Sequence, residues 1–328
     1  MPAEPRPSGI VALAGGVGGA KLAAGLQAVV GAGLTVVVNT GDDFELHGLT
    51  IWPDHDTVAY TLAGLEDREQ GWGLRDETWH VMGALDRLGG ETWFRLGDRD
   101  LATHLLRSGR LARGDRATEV ALALQAAHGV GPQILPMSDE PVRTEVRTDD
   151  GWLTFQDYFV RLRQAPAVRE IRFRGIDDAR PSAEVGAAIR AAEAIVVCPS
   201  NPFVSIGPIL ALPGIREAIA ARRAAGARVV AVSPIVAGRA LKGPADRMLQ
   251  SLGHDPSALG VARLYAGIAD VLVVDHADTD LAAAIRSAGI EPLVADTVMT
   301  DDASRARLAA TVVDASRAAT TSRAAARA

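Results

Sequence analysis

The chain has 328 residues and carries a formal net charge of −6 at pH 7. Because no basic stripe is available to neutralise phosphates, this balance argues against general nucleic-acid binding, although local cations can still bind a small anion. Hydrophobic residues make up 48% of the sequence and aromatic residues only 4%, which is typical of a packed α/β enzyme rather than a disordered or fibrous protein. The length allows one large α/β domain or two smaller ones.

Cys198 is the single cysteine of the sequence, which excludes a disulfide framework and a cysteine-based zinc site. The N-terminal segment MPAEPRPSG lacks the basic and apolar regions of a signal peptide, and no apolar run approaches the roughly 20 residues that span a bilayer. We therefore expect a cytoplasmic protein. Residues 315–328 are expected to form a frayed tail.

The first predicted strand is GIVALAGG, an apolar run that ends in glycines, and the second is LTVVVNTGDD. Between them, Leu22 and Leu26 follow helical spacing, which predicts a helix that begins near Gly19. Similar apolar runs end in small or polar residues at AEAIVVCPSNP, ARVVAVSPIV and ADVLVVDHAD. This alternation predicts an α/β fold with a doubly wound, mostly parallel Rossmann-like sheet, whose ligands bind at the carboxyl ends of the strands.

Residues 65–179 have a different pattern. The first half of this region predicts helices, and the second half predicts shorter strands with a hairpin around Asp150-Gly151. We therefore predict one domain whose core consists of residues 9–64 and 180–310, with an inserted helical and small β region at 65–179.

The segment GGVGGAK, residues 15–21, follows the first strand at the place of a phosphate-binding turn. It differs from a Walker loop, because Ala20 replaces the last glycine and Leu22 replaces the hydroxyl residue that holds magnesium. It also differs from a dinucleotide fingerprint, because Lys21 takes the place of the third glycine. Its glycines still expose backbone N–H groups at a helix N-terminus, so we predict contact with an anionic ligand over a merely tight turn.

The segment GDDFELHGLTIWPDHD, residues 41–56, directly follows the second predicted strand. It contains two separated carboxylate pairs, Asp42 with Asp43 and Asp54 with Asp56. These pairs suit Mg²⁺, which takes one or two carboxylates and completes its shell with water and phosphate oxygens. Asp43 and Asp54 are the preferred ligands. Capping of the following helix is an equal alternative for Asp56, and closure of the turn is an alternative for Asp42.

The sequence offers no obvious nucleophile. It contains no G-x-S-x-G elbow, and Cys198 follows a strand, where an inert buried thiol is expected. A phosphate cradle and a metal site without a covalent catalyst favour direct phosphoryl transfer.

Four further segments indicate a family: GWGLRDETW (71–79), LGDRDLATHLLRS (96–108), PSNPFVSIGPIL (199–210) and SPIVAGRALKGPADRML (233–249). Together with the glycine turn and the acidic segment, they resemble the 2-phospho-L-lactate transferase family. That family includes the phosphoenolpyruvate transferases of coenzyme F-420 biosynthesis. The resemblance runs in order from about residue 10 to about residue 310.

The resemblance implies a magnesium-dependent transferase that acts as a homodimer. Such an enzyme moves a phosphoenolpyruvyl or 2-phospho-L-lactyl group from a guanosine-diphosphate-activated donor to the ribityl hydroxyl of a 7,8-didemethyl-8-hydroxy-5-deazariboflavin acceptor, and it releases GMP. The terminal ribityl hydroxyl would attack the phosphorus distal to guanosine, with Mg²⁺ held by Asp43 and Asp54. The sequence does not identify the three-carbon acid.

The resemblance also implies two sets of site residues. The donor nucleotide and diphosphate would contact Gly15, Gly16, Gly18, Gly19, Lys21, Ser200, Asn201, Ser205, Ser233 and Lys242. The inserted region would hold the deazaflavin, and the candidates are Asp56, Trp72, Arg75, Asp76, Glu77, Trp79, Asp98 and Arg99. Core packing is the alternative for one of the two tryptophans, and a surface turn with a helix cap is the alternative for the segment 98–100.

Two other functions remain as alternatives. The first is a non-catalytic nucleotide-sugar- or dinucleotide-binding regulatory protein of a related fold, against which GWGLRDETW and LGDRDLATHL favour the transferase. The second is a nicotinamide-dependent oxidoreductase, which the broken fingerprint and the doubled aspartates disfavour.

Overall fold

The computed structural model describes residues 9–318. The predictions of an absent signal peptide and of a frayed tail rest almost entirely on residues outside this range. Residues 315–317, which we expected in the tail, form the last turn of a helix instead. Within the described residues, no helix is both long and apolar enough to cross a bilayer, and the cytoplasmic location stays a prediction.

The described residues form short strands joined by helices. In chain order, the strands are β1 (Ile10–Ala14), β2 (Leu34–Val38), β3 (Phe44–Leu46), β4 (Leu49–Ile51), β5 (Gln133–Pro136), β6 (Arg143–Thr148), β7 (Gly151–Thr154), β8 (Glu170–Arg174), β9 (Ala194–Val197), β10 (Arg228–Val232), β11 (Ile235–Val236), β12 (Arg239–Ala240), β13 (Val271–Asp275) and β14 (Glu291–Ala295).

The helices alternate with these strands along most of the chain. They are α1 (Gly16–Val30), α2 (Pro53–Leu62), α3 (His80–Arg87), α4 (Asp98–Leu111), α5 (Ala117–Ala127), α6 (Ala183–Ala191), α7 (Ile206–Ala211), α8 (Ile215–Ala224), α9 (Ala245–Ser251), α10 (Ala258–Tyr265), α11 (Ala282–Ser287) and α12 (Asp302–Arg317).

The central sheet has seven strands in the order β14-β13-β10-β9-β1-β2-β5. Every neighbouring pair in this sheet is parallel. The chain moves outward from β1 to β2 and β5 on one side, and from β9 to β14 on the other. The predicted doubly wound parallel sheet is therefore confirmed, and its topological switch point lies between β1 and β9.

Helices cover both faces of this sheet, which explains why its strands are apolar throughout. On one face, Leu22 and Leu26 of α1 pack with Val312 of α12. On the other face, Ile189 of α6 and Ile219 of α8 belong to a second buried cluster. The loops at the carboxyl ends of the strands are thereby left to build a site at one edge.

The region expected as an insertion contains the predicted helices and hairpin. Helices α3, α4 and α5 lie in its first half, and β6, β7 and β8 form a separate antiparallel sheet in its second half. One strand of the region, β5, instead pairs with β2 in the central sheet. Its apolar residues Ile134 and Leu135 are fully buried there, so this strand completes the core.

The first helix begins at Gly16, three residues earlier than we predicted. The glycine segment is itself the first turn of α1. A carboxylate from another segment, Asp54, accepts the hydrogen bond of the Gly16 N–H group, which local sequence could not indicate.

Candidate functional site

A cavity of about 840 Å³ opens at the carboxyl ends of the central strands. Gly15, Asp42, Ser200 and Ser233 line it, and they follow β1, β2, β9 and β10 respectively. The cavity therefore lies at the switch point of the sheet, where ligands bind in this architecture.

The glycine turn packs directly on the loop that follows β9. The Ser200 hydroxyl donates to the Gly15 carbonyl at 2.8 Å and accepts from the Gly15 N–H at 3.1 Å. A β-carbon on Gly18 would lie 2.3 Å from the Pro199 carbonyl oxygen, and one on Gly19 would lie 2.6 Å from the Ser200 hydroxyl. These positions accept only glycine without a shift of the loop.

Lys21 and Lys242 are the two lysines of the whole sequence, and both line the cavity. The Lys21 ammonium group donates to the Met299 carbonyl at 2.9 Å. Burial lowers the pKa of Lys21, and the nearby charges of Arg305 and Lys242 lower it further. An anion at this end of the cavity would therefore be attracted by the charges of Lys21 and Lys242.

Three polar side chains predicted on the donor side also line the cavity. Asn201 accepts from the Phe203 N–H at 2.9 Å, Ser233 donates to the Ile235 carbonyl at 2.9 Å, and Ser205 packs against Gly15. The structure thus brings nine of the ten donor-side candidates to one cavity wall: Gly15, Gly16, Gly18, Lys21, Ser200, Asn201, Ser205, Ser233 and Lys242. The tenth, Gly19, packs behind that wall against Ser200.

The acidic segment meets the glycine turn through Asp54, in the first turn of α2. One Asp54 oxygen accepts from the Gly16 N–H at 2.8 Å, and the other accepts from the Asn39 amide at 2.9 Å. Burial raises the pKa of Asp54 to about 6, and these two hydrogen bonds limit the increase. Asp54 also lines the cavity.

Asp42 and Asp43 are buried, and each has a side-chain oxygen without a hydrogen-bond partner. Burial raises the pKa of both carboxyl groups well above the usual value, and the charge of Asp54 adds to the effect. Unpaired buried oxygens beside a third carboxylate fit a hard divalent cation. Of the two, Asp42 lines the cavity, whereas Asp43 is not among the lining residues.

The alternative of helix capping by Asp56 is wrong. The residue at the N-cap position of α2 is Trp52, and Asp56 lies inside the helix. Its carboxylate forms a buried ion pair with Arg107 of α4. Burial alone would raise the pKa of Asp56, but the charge of Arg107 holds it below the usual value.

Asp56, Asp100 and His104 form a group whose ligand atoms lie within 4.8 Å of one another, and such a group could hold a metal ion. All three line the cavity. The Tyr60 hydroxyl donates to one Asp100 oxygen at 2.6 Å. Sequence reasoning considered Asp100 only within the segment 98–100 and missed His104 and Arg107, although helical spacing places all three on one face of α4.

Of the acceptor-side candidates, Asp56 and Trp72 line the cavity. The other six are not among its lining residues: Arg75, Asp76, Glu77, Trp79, Asp98 and Arg99. Asp98 accepts from the Thr78 hydroxyl at 2.6 Å and from the His80 and Val81 N–H groups at 3.0 Å. Asp98 thus caps the N-terminus of α3. For all six residues, contact with a ligand stays a prediction.

Glu77 caps the neighbouring helix in the same manner. Its carboxylate accepts from the N–H groups of Arg99 and Asp100 at 2.9 and 2.8 Å, at the start of α4. Asp98 and Glu77 therefore fix α3 and α4 to each other, and this contact places Asp100 at the cavity wall.

An aromatic surface forms a further part of the cavity wall, and sequence reasoning did not predict it. Phe155 and Phe159 stack with ring centroids 5.3 Å apart. Arg95 lies over the Trp79 ring at 3.9 Å. Trp93, Phe94, Arg95, Phe155 and Phe159 all line the cavity. Such a surface fits a flat ring system, in contrast to the polar wall at the glycine turn.

Comparison with known proteins adds three kinds of similarity. Residues 10–316 match the family model described as 2-phospho-L-lactate transferase CofD. A phosphoenolpyruvate transferase of Kitasatospora aureofaciens is 46% identical over 312 residues, which cover 93% of this chain and 96% of that protein. A 2-phospho-L-lactate transferase of Methanosarcina mazei is 38% identical and covers 93% of this chain and 100% of that protein.

A solved structure shares the fold at low sequence identity. The crystal structure of protein BH3568 from Bacillus halodurans has a TM-score of 0.60 and 18% identity, and it covers 94% of this chain and 100% of that chain. A second crystal structure, titled as a member of the upf0052 family (bh3568) from the same organism, has a TM-score of 0.59 and 16% identity, and it covers 93% of this chain and 98% of that chain. These similarities concern the fold alone.

Proposed function

This chain belongs to the 2-phospho-L-lactate transferase CofD family, and we propose that it transfers a phospho-three-carbon-acid group from a guanosine-diphosphate-activated donor to a deazaflavin. The acceptor is the ribityl hydroxyl of 7,8-didemethyl-8-hydroxy-5-deazariboflavin. The hydroxyl oxygen attacks the phosphorus distal to guanosine and loses its proton. The bond between the two phosphates breaks, and GMP leaves.

The single observation that supports this proposal best is the cavity at the switch point, with a cationic, glycine-rich end and an aromatic end. The N–H groups at the start of α1, together with Lys21 and Lys242, suit the diphosphate. The aromatic surface suits the deazaflavin ring, with Asp56 and Trp72 in direct contact. The other six acceptor-side candidates, which are not among the lining residues, stay proposed contacts of the deazaflavin.

We propose that Asp43 and Asp54 hold Mg²⁺, with Asp42 as a third carboxylate. The unpaired buried oxygens of Asp42 and Asp43 are the structural support for this assignment. When bound, Mg²⁺ supplies charge neutralisation for the diphosphate oxygens. Asn39 and Gly16 orient Asp54, so that its carboxylate faces the cavity.

The transferred acid is proposed to be phosphoenolpyruvyl rather than 2-phospho-L-lactyl. The support is that the phosphoenolpyruvate transferase of Kitasatospora aureofaciens is 46% identical to this chain, against 38% for the 2-phospho-L-lactate transferase of Methanosarcina mazei. Equal amounts of both donors in one reaction, with mass analysis of the product, would decide between the two acids.

Homodimer formation is a further part of the proposal. Leu105 and Leu106 expose large apolar side chains on the outer side of α4, which a second copy would cover. Light scattering of the chain and of a Leu105→Asp variant tests it: the mass of two copies should fall to that of one. The mass of one copy for the unaltered chain would contradict it.

The experiment that tests the proposed function is an assay for GMP with Mg²⁺, the activated donor and the deazaflavin. GMP release that requires the acceptor supports the transferase. A non-catalytic regulatory protein would bind the donor and release no GMP. Failure with phosphoenolpyruvyl, lactyl and glyceryl donors alike would exclude the transferase function.

A further inference from the structure

Arg107 is a fully buried guanidinium in the middle of α4. One of its terminal nitrogens donates to the Thr50 carbonyl at 3.2 Å and contacts His104 Nδ1 at 3.0 Å. The other pairs with Asp56. The guanidinium also lies over the Trp52 ring at 4.4 Å.

These contacts determine which ring nitrogen of His104 carries the hydrogen. A guanidinium has only donors, so His104 Nδ1 must accept the hydrogen bond from Arg107. Nε2 then carries the hydrogen, and it lies 3.1 Å from an Asp100 oxygen without hydrogen-bond geometry. The other Asp100 oxygen accepts from the Tyr60 hydroxyl. Arg107 therefore fixes the His104 ring so that Nε2 faces Asp100.

The same contacts engage His104 Nδ1 and one oxygen of Asp56, whereas the other Asp56 oxygen and His104 Nε2 form no hydrogen bond in the described structure. The spacing of Asp56, Asp100 and His104 would suit a metal ion, but Nδ1 of His104 already accepts a hydrogen bond from Arg107. Nε2 then carries the ring hydrogen and would have to lose it to become a ligand. The positive charge that Asp56 requires is already present on Arg107. A metal ion would have to displace Arg107 from His104 and from Asp56.

We infer that Arg107 is a positioning residue that takes the place of a metal ion in this group and holds Asp56 and Asp100 at the cavity wall as hydrogen-bond acceptors for a hydroxylated chain. The inference rests on the proposed function only for the identity of that chain, the ribityl group. Carboxylates are acceptors that match hydroxyl donors, and both Asp56 and Asp100 line the cavity.

Stability alone does not account for this arrangement. A buried ion pair can often be replaced by apolar residues with no loss of stability, because two charges are costly to remove from water. In this chain, the acidic partners and the imidazole all line the cavity, whereas Arg107 is not among its lining residues. The arrangement instead fixes the orientation of groups that face a ligand.

The first test uses the unaltered protein, freed of metal ions, and records the ¹⁵N resonances of His104. A His104→Gln variant assigns the signal. The expected result is a neutral ring with its hydrogen on Nε2. A ring with its hydrogen on Nδ1, or an imidazolium at neutral pH, would overturn the inference, because either excludes acceptance from Arg107.

The second test counts bound Mn²⁺ ions in the unaltered protein and in the Asp100→Asn and His104→Gln variants by electron paramagnetic resonance. We expect equal numbers in all three, because the group holds no metal ion. The loss of one Mn²⁺ in either variant would show that the group is a metal site and would overturn the inference.

The third test compares Arg107→Met with Arg110→Met, a matched control on the same helix. Arg110 pairs with Asp115 away from the cavity. We expect Arg107→Met to lower kcat by about 100-fold with little change in the donor KM. We also expect His104→Gln, which keeps an N–H donor towards Asp100, to lose much less activity than His104→Phe. Full activity of Arg107→Met, or equal loss in His104→Gln and His104→Phe, would contradict the inference.

The melting temperature of each variant separates loss of folding from loss of positioning, because Arg107 is buried. The NMR test needs only the unaltered protein, with a variant used for assignment alone. If no GMP forms even with the unaltered chain, the proposed function fails, while the ¹⁵N and Mn²⁺ measurements still decide the inference.

Discussion

The backbone N–H of Gly16 donates a hydrogen bond of 2.8 Å to the carboxylate of Asp54, across 38 residues of sequence. This contact joins the glycine turn to the acidic segment. It places a carboxylate at the positive end of α1, where the diphosphate is proposed to bind. A free carboxylate there would repel a diphosphate, and a bound cation removes that conflict.

The proposed metal ligands predict a specific loss of cation affinity. Asp43→Asn should lower turnover by at least about 100-fold and weaken Mg²⁺ binding while the fold persists, because it removes a charge from a buried metal site. Asp42→Asn should weaken Mg²⁺ binding too, because Asp42 also has an unpaired buried oxygen. Calorimetric Mg²⁺ titration of both variants measures this effect.

Asp86→Asn is the control for these variants, because Asp86 is exposed on α3 and should leave Mg²⁺ affinity unchanged. An Asp43→Asn variant with full magnesium-dependent activity would show that Asp43 is not a ligand. In that case, a loss confined to Asp42→Asn and Asp54→Asn would move the site to the two carboxylates that line the cavity.

The raised pKa of Asp54, about 6 through burial, predicts how stability depends on pH without a divalent cation. Between about pH 4 and pH 6, the folded state keeps a proton that the unfolded state has lost, so the free energy of unfolding falls as pH rises through this window. Across this window, the titration of Asp54 lowers the free energy of unfolding by about 3 kcal/mol, at 1.36 kcal/mol per pKa unit. Asp42 and Asp43 act in the same direction.

Urea denaturation of the metal-free protein at pH 5 and pH 8 measures this effect. The difference between the two pH values should be smaller in Asp54→Asn than in the unaltered protein, and Mg²⁺ should recover stability at pH 8. An identical difference in both proteins would mean that Asp54 titrates normally.

The close approach of the glycine turn to the loop after β9 predicts a contrast between two glycines. Gly18→Ala should destabilise the protein by about 1–3 kcal/mol and weaken donor binding, because its β-carbon would overlap the Pro199 carbonyl oxygen. Gly33→Ala is the control, since its β-carbon would have no neighbour within 4 Å. Thermal unfolding and donor titration of both variants test this contrast; equal behaviour would remove the steric argument.

The two lysines predict selective chemical protection. An amine-reactive reagent should inactivate the protein through Lys21 and Lys242, because these lysines line the cavity and the pKa of Lys21 is lowered. The donor should slow this reaction, whereas the deazaflavin alone should slow it less. Peptide mass mapping identifies the modified lysines. Complete modification at an unchanged rate in saturating donor would contradict the placement of the diphosphate.

The sheet, and the cavity wall at which the donor-side candidates lie, were predictable because their signals are local. Apolar runs ending in glycine or aspartate mark the carboxyl ends of strands, and parallel pairing brings these ends together. GGVGGAK and PSNP were therefore expected at the same edge of the sheet, and the strand order that places Gly15 against Ser200 came from the structure.

The acceptor side depends on contacts between distant residues, so the sequence indicated it less well. Asp56 and Arg107 are 51 residues apart in the sequence, and the residues around each of them do not indicate that the two form a pair. Asp98 and Glu77 were expected to contact the ligand because they lie in family motifs. In the structure, Asp98 caps α3 and Glu77 caps α4, and their contact with a ligand stays a prediction. The helical spacing of Asp100, His104 and Arg107 was a usable signal that we did not weigh.

The measurement that tests the central claim most directly is a ³¹P NMR time course with donor, deazaflavin, Mg²⁺ and the unaltered protein. The account predicts that the diphosphate resonances disappear while GMP and a new phosphodiester on the deazaflavin appear in equal amounts. Release of GDP instead of GMP would show attack at carbon rather than phosphorus. Diphosphate resonances that persist with every three-carbon donor would contradict the transferase function itself.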